Sequence, residues 1–441
     1  MKKGASLRNT SWLLAGGIAR MLIQFIVGAI SARYLGPSNY GILNYAAAYI
    51  NLFSIICEFG LTITIVSELV KHRDIEGVYV GTAISMRLLA SVISTFMLLM
   101  ITVLVDGNDP IIRGVVLIRA AGLIFDSFNT ISYWFQSHLQ SKYTTIYELI
   151  AYILSSVYKI AILVFKKNIF WFAAATTIDS AIIAFFLIYG YKKHSGSKLS
   201  ISKDLARSLT SVGLPFILSG IMVYVYDQTD RIMIGNMMTQ ADVGFYSCAA
   251  TIGTMIAFIP QAIMNSGKPV IMEAKKESHS LFELRMRQTL AAVLWIMNLY
   301  GVFVFVFGHY IILILFGKSY IESVTALRIL IWSFGLSYVG TLRNVWLICN
   351  DLHKYASLFS FIGAISNVVL NLIMIRLLGI EGAAIATVFT QFLTIFCAPL
   401  IFPKTRRFSL LLKDAFLLRN VELKNMLKRF SAVLRKRLVR R

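Results

Sequence analysis

Ser38-Asn-Tyr-Gly-Ile-Leu-Asn-Tyr-Ala-Ala47 follows a long apolar stretch, and Ala241-Asp-Val-Gly-Phe-Tyr-Ser-Cys-Ala-Ala250 follows another. The two read as weak copies at an offset of 203 residues. A second pair, Ala173-Ala-Ala-Thr-Thr177 and Ala383-Ala-Ile-Ala-Thr387, repeats at 210. Two similar offsets near half of a 441-residue chain imply a duplicated architecture. The composition says what is duplicated. Apolar residues make up 57%, charged residues 15%, and the mean hydropathy is +0.72. The charged share is about 10 points below that of a typical soluble domain. These values exclude a disordered chain, a disulfide scaffold and an ordinary soluble enzyme. They leave an all-α polytopic membrane protein.

A transmembrane helix needs about 20 predominantly apolar residues. Twelve such spans are legible: 9–34, 41–70, 80–105, 112–137, 144–165, 169–191, 209–235, 241–270, 287–316, 322–350, 356–378 and 381–403. Turn chemistry marks the breaks, as at Leu35-Gly-Pro-Ser-Asn-Tyr40, Asp106-Gly-Asn-Asp-Pro110 and Leu378-Gly-Ile-Glu-Gly382. With the repeats, this predicts two six-helix lobes at 1–191 and 209–403. A linker at 192–208 joins them, and a basic tail follows at 404–441. An even number of helices per lobe gives both lobes one orientation, as in parallel-repeat transporters. Two matching lobes can rock about a shared cavity.

Lysine and arginine give the orientation. Segments on the N-terminal side hold 30 of them, and the opposite loops hold only Lys166, Lys167 and Lys318. Both termini are therefore expected in the cytoplasm. The net charge of +22 is a topology signal, and no nucleic-acid partner is expected. Cys57, Cys248, Cys349 and Cys397 fall in apolar stretches without metal spacing. The six histidines form no metal-spaced pair, and no phosphate loop or Ser/His/Asp constellation appears. Neither a metal nor catalysis is expected.

Ionisable residues at membrane depth cost about 2.5–3.5 kcal/mol each on insertion scales, so they mark function or pairing. Far from span ends lie Arg20, Glu58, Arg87, Arg119, Asp126, Lys159, Asp179, Asp227 and Arg343. Guanidinium groups donate two parallel hydrogen bonds to phosphate, so Arg20, Arg87, Arg119, Lys159 and Arg343 are candidates for an anion-binding lumen. The competing reading is helix-to-helix pairing. Asp227 and Arg231 stand at i and i+4 and are expected to pair. Glu58, Asp126, Asp179, Asp227 and the adjacent Asp230 can carry a proton, hold Na⁺, or serve as counter-charges. The residues alone do not separate these roles.

Several junctions resemble one family. Ala32-Arg-Tyr-Leu-Gly-Pro-Ser-Asn-Tyr-Gly41 looks like the signature turn of Wzx-type polysaccharide flippases. Trp134-Phe-Gln136 with Lys142-Tyr-Thr-Thr-Ile146 resembles their fourth-to-fifth junction. Asp230-Arg-Ile-Met-Ile-Gly235 with Ala241-Asp-Val-Gly-Phe-Tyr246 resembles the seventh-to-eighth. Phe316-Gly-Lys-Ser-Tyr-Ile-Glu-Ser-Val-Thr-Ala-Leu-Arg-Ile-Leu330 resembles the ninth-to-tenth. The resemblance implies two six-helix lobes like those of the multidrug exporters called MATE, and alternating access. It implies a cargo of oligosaccharide repeat unit on undecaprenyl pyrophosphate, moved from the cytoplasmic to the periplasmic leaflet of the bacterial inner membrane. A polysaccharide polymerase and chain-length machinery would be its partners. One stretch departs: Ser137-His-Leu-Gln140 stands where relatives often show a glycine and an acidic residue. A cation-coupled small-molecule exporter of the same architecture is the alternative. A membrane glycosyltransferase is disfavoured because no outward loop is long.

The basic tail carries its own signal. Leu423, Met426, Leu427, Phe430, Val433, Leu434 and Leu438 recur at helix spacing, with lysines and arginines between them. Such a helix is expected to sink its apolar stripe into a headgroup boundary while its cations meet anionic lipid. A peptide of residues 420–441 should gain helical circular dichroism with anionic vesicles and not with neutral ones. A peptide that stays unstructured on both would show that the tail is not an interfacial helix.

Overall fold

The computed structural model describes residues 3–107, 109–194 and 197–422. Side chains are described from residue 25 onward, except at 62, 63, 219, 226 and 227. The described residues are mostly helical, without strands. The helices are α1 (Lys3–Cys57), α2 (Leu61–Lys71), α3 (Glu76–Val105), α4 (Pro110–Asp126), α5 (Thr130–Ser137), α6 (Ser141–Val164) and α7 (Ile169–His194). They continue as α8 (Lys203–Met237), α9 (Gln240–Thr254), α10 (Phe258–Glu277), α11 (His279–Leu315) and α12 (Ser323–Cys349). The last are α13 (Lys354–Phe392), α14 (Ala398–Ile401) and α15 (Arg406–Phe416).

Each of the twelve expected spans falls on helix. By length and apolarity eight helical stretches could cross a membrane, or nine counting α9 and α10 as one span bent by 47°. Two of the longest hold a pair of spans. α1 breaks at Gly36, whose φ of +73° is left-handed, and Pro37 restarts the helix with its fixed φ. α13 breaks at Gly379, φ +61°. The stretch Lys354–Ile401 has 48 residues, and at about 1.5 Å rise per residue it would far exceed a hydrocarbon core of about 30 Å as one rod. Elsewhere the ends carry caps. The Asp109 carboxylate accepts from the amides of Ile111 (2.8 Å) and Ile112 (3.3 Å) at the start of α4. Ser202 Oγ accepts from the Leu205 amide at 3.3 Å at the start of α8.

The chain packs as two compact units. One comprises Met1–Cys248 with Leu313–Tyr320, and the other Ala249–Ile312 with Ile321–Arg441. The division falls after Cys248 and not in the 192–208 linker, because α8 and the start of α9 pack with the first six spans. The first core gathers Leu61, Ile65, Trp134, Phe135, Ala151 and Leu187 among its buried residues. The second gathers Met286, Leu290, Trp346, Phe359 and Phe408. Large apolar side chains such as Leu89, Phe96, Leu104, Leu299 and Leu377 stay exposed, as on helices solvated by lipid. The expected tail stripe at 423–438 lies outside the described residues.

Within the first unit the sequence repeats meet each other. A Cβ on Gly41 would overlap the carbonyl oxygen of Gln240 and stand 2.9 Å from the Gly244 amide. A Cβ on Gly244 would overlap the carbonyl oxygen of Pro37. The offset of 203 that relates the two motifs carries Pro37 onto Gln240 and Gly41 onto Gly244. The contact is therefore reciprocal: each repeat's glycine receives the other's backbone. Lipid tails are as apolar as leucine, so helices in a bilayer associate through close packing at small residues.

Gly41→Val and Gly244→Val should each force these backbones apart and cost at least about 1–3 kcal/mol. The readout is the thermal midpoint and membrane level of purified protein. Gly28→Ala, where a Cβ meets nothing within 4 Å, should be neutral. Equal behaviour of all three variants would discount the glycine contact.

Candidate functional site

Two of the first unit's spans are broken at membrane depth, and the ionisable residues gather at the breaks. The second span stops at Cys57 and restarts at Leu61, across Phe59 and Gly60, both with positive φ. Phe59 and Gly60 there touch the backbone of Gly213 on α8 so closely that a Cβ on either glycine would clash. The fourth span passes from α4 into a 3₁₀ turn, Ser127–Asn129, before α5 begins. Glu58 sits at the first break and Asp126 at the second. Discontinuous helices at membrane depth occur where the backbone is buried in protein or lines a polar cavity.

Arg87 on α3 joins them. It is 4% exposed, and its guanidinium donates to Thr130 Oγ1 at 3.4 Å, at the start of α5. Asp126 accepts from Asn129 Nδ2 at 3.4 Å and from the Ser180 hydroxyl, and it lies in the fields of Arg87 and Glu58. A second group lies on α4, α6 and α7. Lys159, half-buried, interacts electrostatically with Asp179 and Arg119. Arg119 donates to the Leu43 carbonyl at 3.2 Å. The Nε atoms of both Arg87 and Arg119 are buried without a hydrogen-bond partner. Each guanidinium thus has donor capacity that its protein contacts do not use.

The other expected residues have different surroundings. Arg343 is buried in the second unit, 5% exposed. It donates to the Thr394 carbonyl at 2.7 Å and to Asn344 Oδ1 at 3.1 Å, and stacks 5.0 Å over the Phe359 ring. The Thr394 carbonyl belongs to a π-helical turn, Leu393–Cys397, where the backbone leaves the regular ladder. Asp230 is 2% exposed and accepts from the Tyr246 hydroxyl. Arg231 donates to Gln228 Oε1, and to Ser247 Oγ at 3.2 Å. The side chains of Arg20 and Asp227 lie outside the described residues, and so does the expected Asp227–Arg231 pair.

Sequence reading missed two polar clusters. Tyr45 donates to Asp106 Oδ1 at 2.7 Å and packs on Tyr49, with Asn236 within 3.2 Å. Gly235 makes room for the Tyr45 ring. At the basic end, Glu76 Oε2 is 3.3 Å from His138 Nε2, and Ser197 Oγ donates to Glu76 Oε1 at 3.1 Å. This is the stretch that departs from the flippase pattern, and Leu139 takes the positive φ (+59°) that glycine adopts most easily. Apart from Tyr49, four residues from Tyr45, these partners are far apart in sequence, so spacing held no cue. The span breaks did leave signals: Gly60 within one apolar run and Asp126-Ser-Phe-Asn129 within another.

The family described as polysaccharide biosynthesis protein matches residues 6–275. A curated relative, the "Probable low-salt glycan biosynthesis flippase Agl15" of Haloferax volcanii, is 24% identical over 410 residues, 86% of this chain and 80% of that one. Among solved structures, the lipid II flippase MurJ in an inward closed conformation aligns with a TM-score of 0.69 at 15% identity, covering 98% of this chain and 99% of that one. An outward-facing multidrug resistance MATE transporter aligns with a TM-score of 0.62 at 14% identity, covering 93% and 99%. These likenesses bear out the expected MATE-like helical fold.

Lys159 and Asp179 form the testable pair of the site. Asp179→Asn and Lys159→Met should each leave the remaining charge less compensated at membrane depth. The double variant should lose less stability than the sum of the two, with a coupling of roughly 0.5–3 kcal/mol. Strict additivity in thermal midpoints would separate the two residues.

Proposed function

The chain belongs to the polysaccharide biosynthesis protein family, and from that premise we propose that it is a flippase for lipid-linked oligosaccharide. The observation that supports the proposal is the placing of three deep cations in the first unit: Arg119 and Lys159 together on α4 and α6, and Arg87 on α3 in the group with Asp126. An undecaprenyl pyrophosphate carrier brings a doubly charged linker to membrane depth. Guanidinium groups hold phosphate oxygens bidentately, and an ammonium adds a point charge. The sugars need polar surface, and the lipid tail can remain in the bilayer. No bond is made or broken in such transport, so no catalytic group is required.

Two lobes rocking about a shared cavity would present the cargo first to the cytoplasmic side and then to the outer leaflet. The same fold is shared by multidrug transporters. The half-buried carboxylates Asp126 and Asp179 suit proton or Na⁺ coupling in either kind of protein. Among the deep charges the balance is net positive by one, which favours an anionic cargo over a cationic drug. The relative named as a glycan biosynthesis flippase supports the same reading.

The test is complementation of a strain lacking its repeat-unit flippase. Arg87→Ala, Arg119→Ala and Lys159→Ala should reach the membrane in near wild-type amounts and lower surface polysaccharide about tenfold or more, the scale of one charge-assisted hydrogen bond. If all three complement fully, the cationic site does not carry the cargo. If the wild-type chain instead confers drug resistance and restores no polysaccharide, the exporter reading replaces this one.

A further inference from the structure

α15 has two unlike faces. Phe408, Leu411, Leu412 and Ala415 are buried in the second unit's core. Phe408 packs against Trp346 with ring centroids 5.9 Å apart, and Ser409 Oγ donates to the Phe396 carbonyl at 3.0 Å. Arg407 makes a fork to Glu283 on α11, at 2.6 and 2.5 Å. Further along, Gln288 Nε2 donates to the Val421 carbonyl at 3.1 Å. The helix is thus fixed to α11 by its own side chains.

The opposite face is Arg406, Leu410, Lys413 and Leu417, at i, i+4, i+7 and i+11, one stripe of a helix. All four are exposed, and Lys404 and Arg419 flank them. Phe416, also exposed, stacks on Trp295 of α11 with centroids 6.1 Å apart and planes 19° apart. Trp295 begins an exposed apolar flank that continues through Leu299, Val302, Phe303 and Val306. In a membrane protein that flank faces hydrocarbon. The Trp295–Phe416 stack joins it to α15.

We propose that the Arg406–Leu410–Lys413–Leu417 stripe of α15 seats on anionic phospholipid headgroups at the basic side of the membrane. Cations interleaved with leucines on one stripe suit a charged interface, where the leucines dip toward acyl chains while the cations meet phosphate. Continuity with the lipid-facing flank of α11 favours lipid over a protein partner. Arg407 is held by Glu283, so Arg406 and Lys413 supply the stripe's charge. The stripe lies before residue 423, and its binding is independent of the tail beyond.

The test uses the full-length chain in vesicles of equal phosphatidylglycerol and phosphatidylcholine. Leu410 is replaced by photoreactive benzoylphenylalanine, and adducts are identified by mass spectrometry after irradiation. Phosphatidylglycerol adducts should exceed phosphatidylcholine adducts by roughly fivefold or more, the factor for one surface cation. Arg406→Gln with Lys413→Gln should bring the ratio close to one while Trp295 and Phe416 stay in place. Equal adducts in the unsubstituted stripe, a ratio unchanged by the two substitutions, or cross-links to a second copy of the chain would each overturn the proposal.

Discussion

Gly41 and Gly244 bring two backbones into van der Waals contact inside a bilayer, where burial of apolar surface gives helices no net reason to associate. Dispersion between closely approaching backbones has to supply the attraction, and only a missing side chain allows the approach. The contact is reciprocal because the two motifs are copies, so a single geometric solution serves both partners. It joins the start of the second span to the start of α9, and both lie with α8 in the first unit. The positions of Tyr45 against Gly235 and of Asp106 beside Tyr45 follow from that placement.

The same constraint that makes lipid a poor glue makes it a poor solvent for charge. Every ionisable group at membrane depth must find donors, acceptors or counter-charges within the protein. In the first unit some are found where the helices themselves are irregular. Glu58 stands at the Phe59–Gly60 break, and Asp126 stands at the Ser127–Asn129 turn. Arg87 reaches across to Thr130. In the second unit Arg343 donates to a carbonyl of a π-helical turn and stacks on the face of Phe359.

The chain's own periodicity determined the all-helical membrane class and the positions of the Gly36 and Gly379 breaks. These are one-dimensional properties, since a span is set by the length of an apolar run and a break by glycine or proline in that run. The identities of the deep charges were equally legible, because a charged residue in an apolar run is conspicuous. Their partners were not. Lys159 and Asp179 are 20 residues apart, Glu76 and Ser197 are 121 apart, and Glu283 and Arg407 are 124 apart. The sequence repeat predicted duplication but could not say that Pro37 meets Gly244 and Gln240 meets Gly41. Nor could it divide α15 into a face against Trp346 and a face toward lipid, since both carry leucine. Local patterns record what each residue would cost in hydrocarbon. Only the packed helices, by bringing distant side chains within a few ångströms, decide which of those costs is offset by a partner.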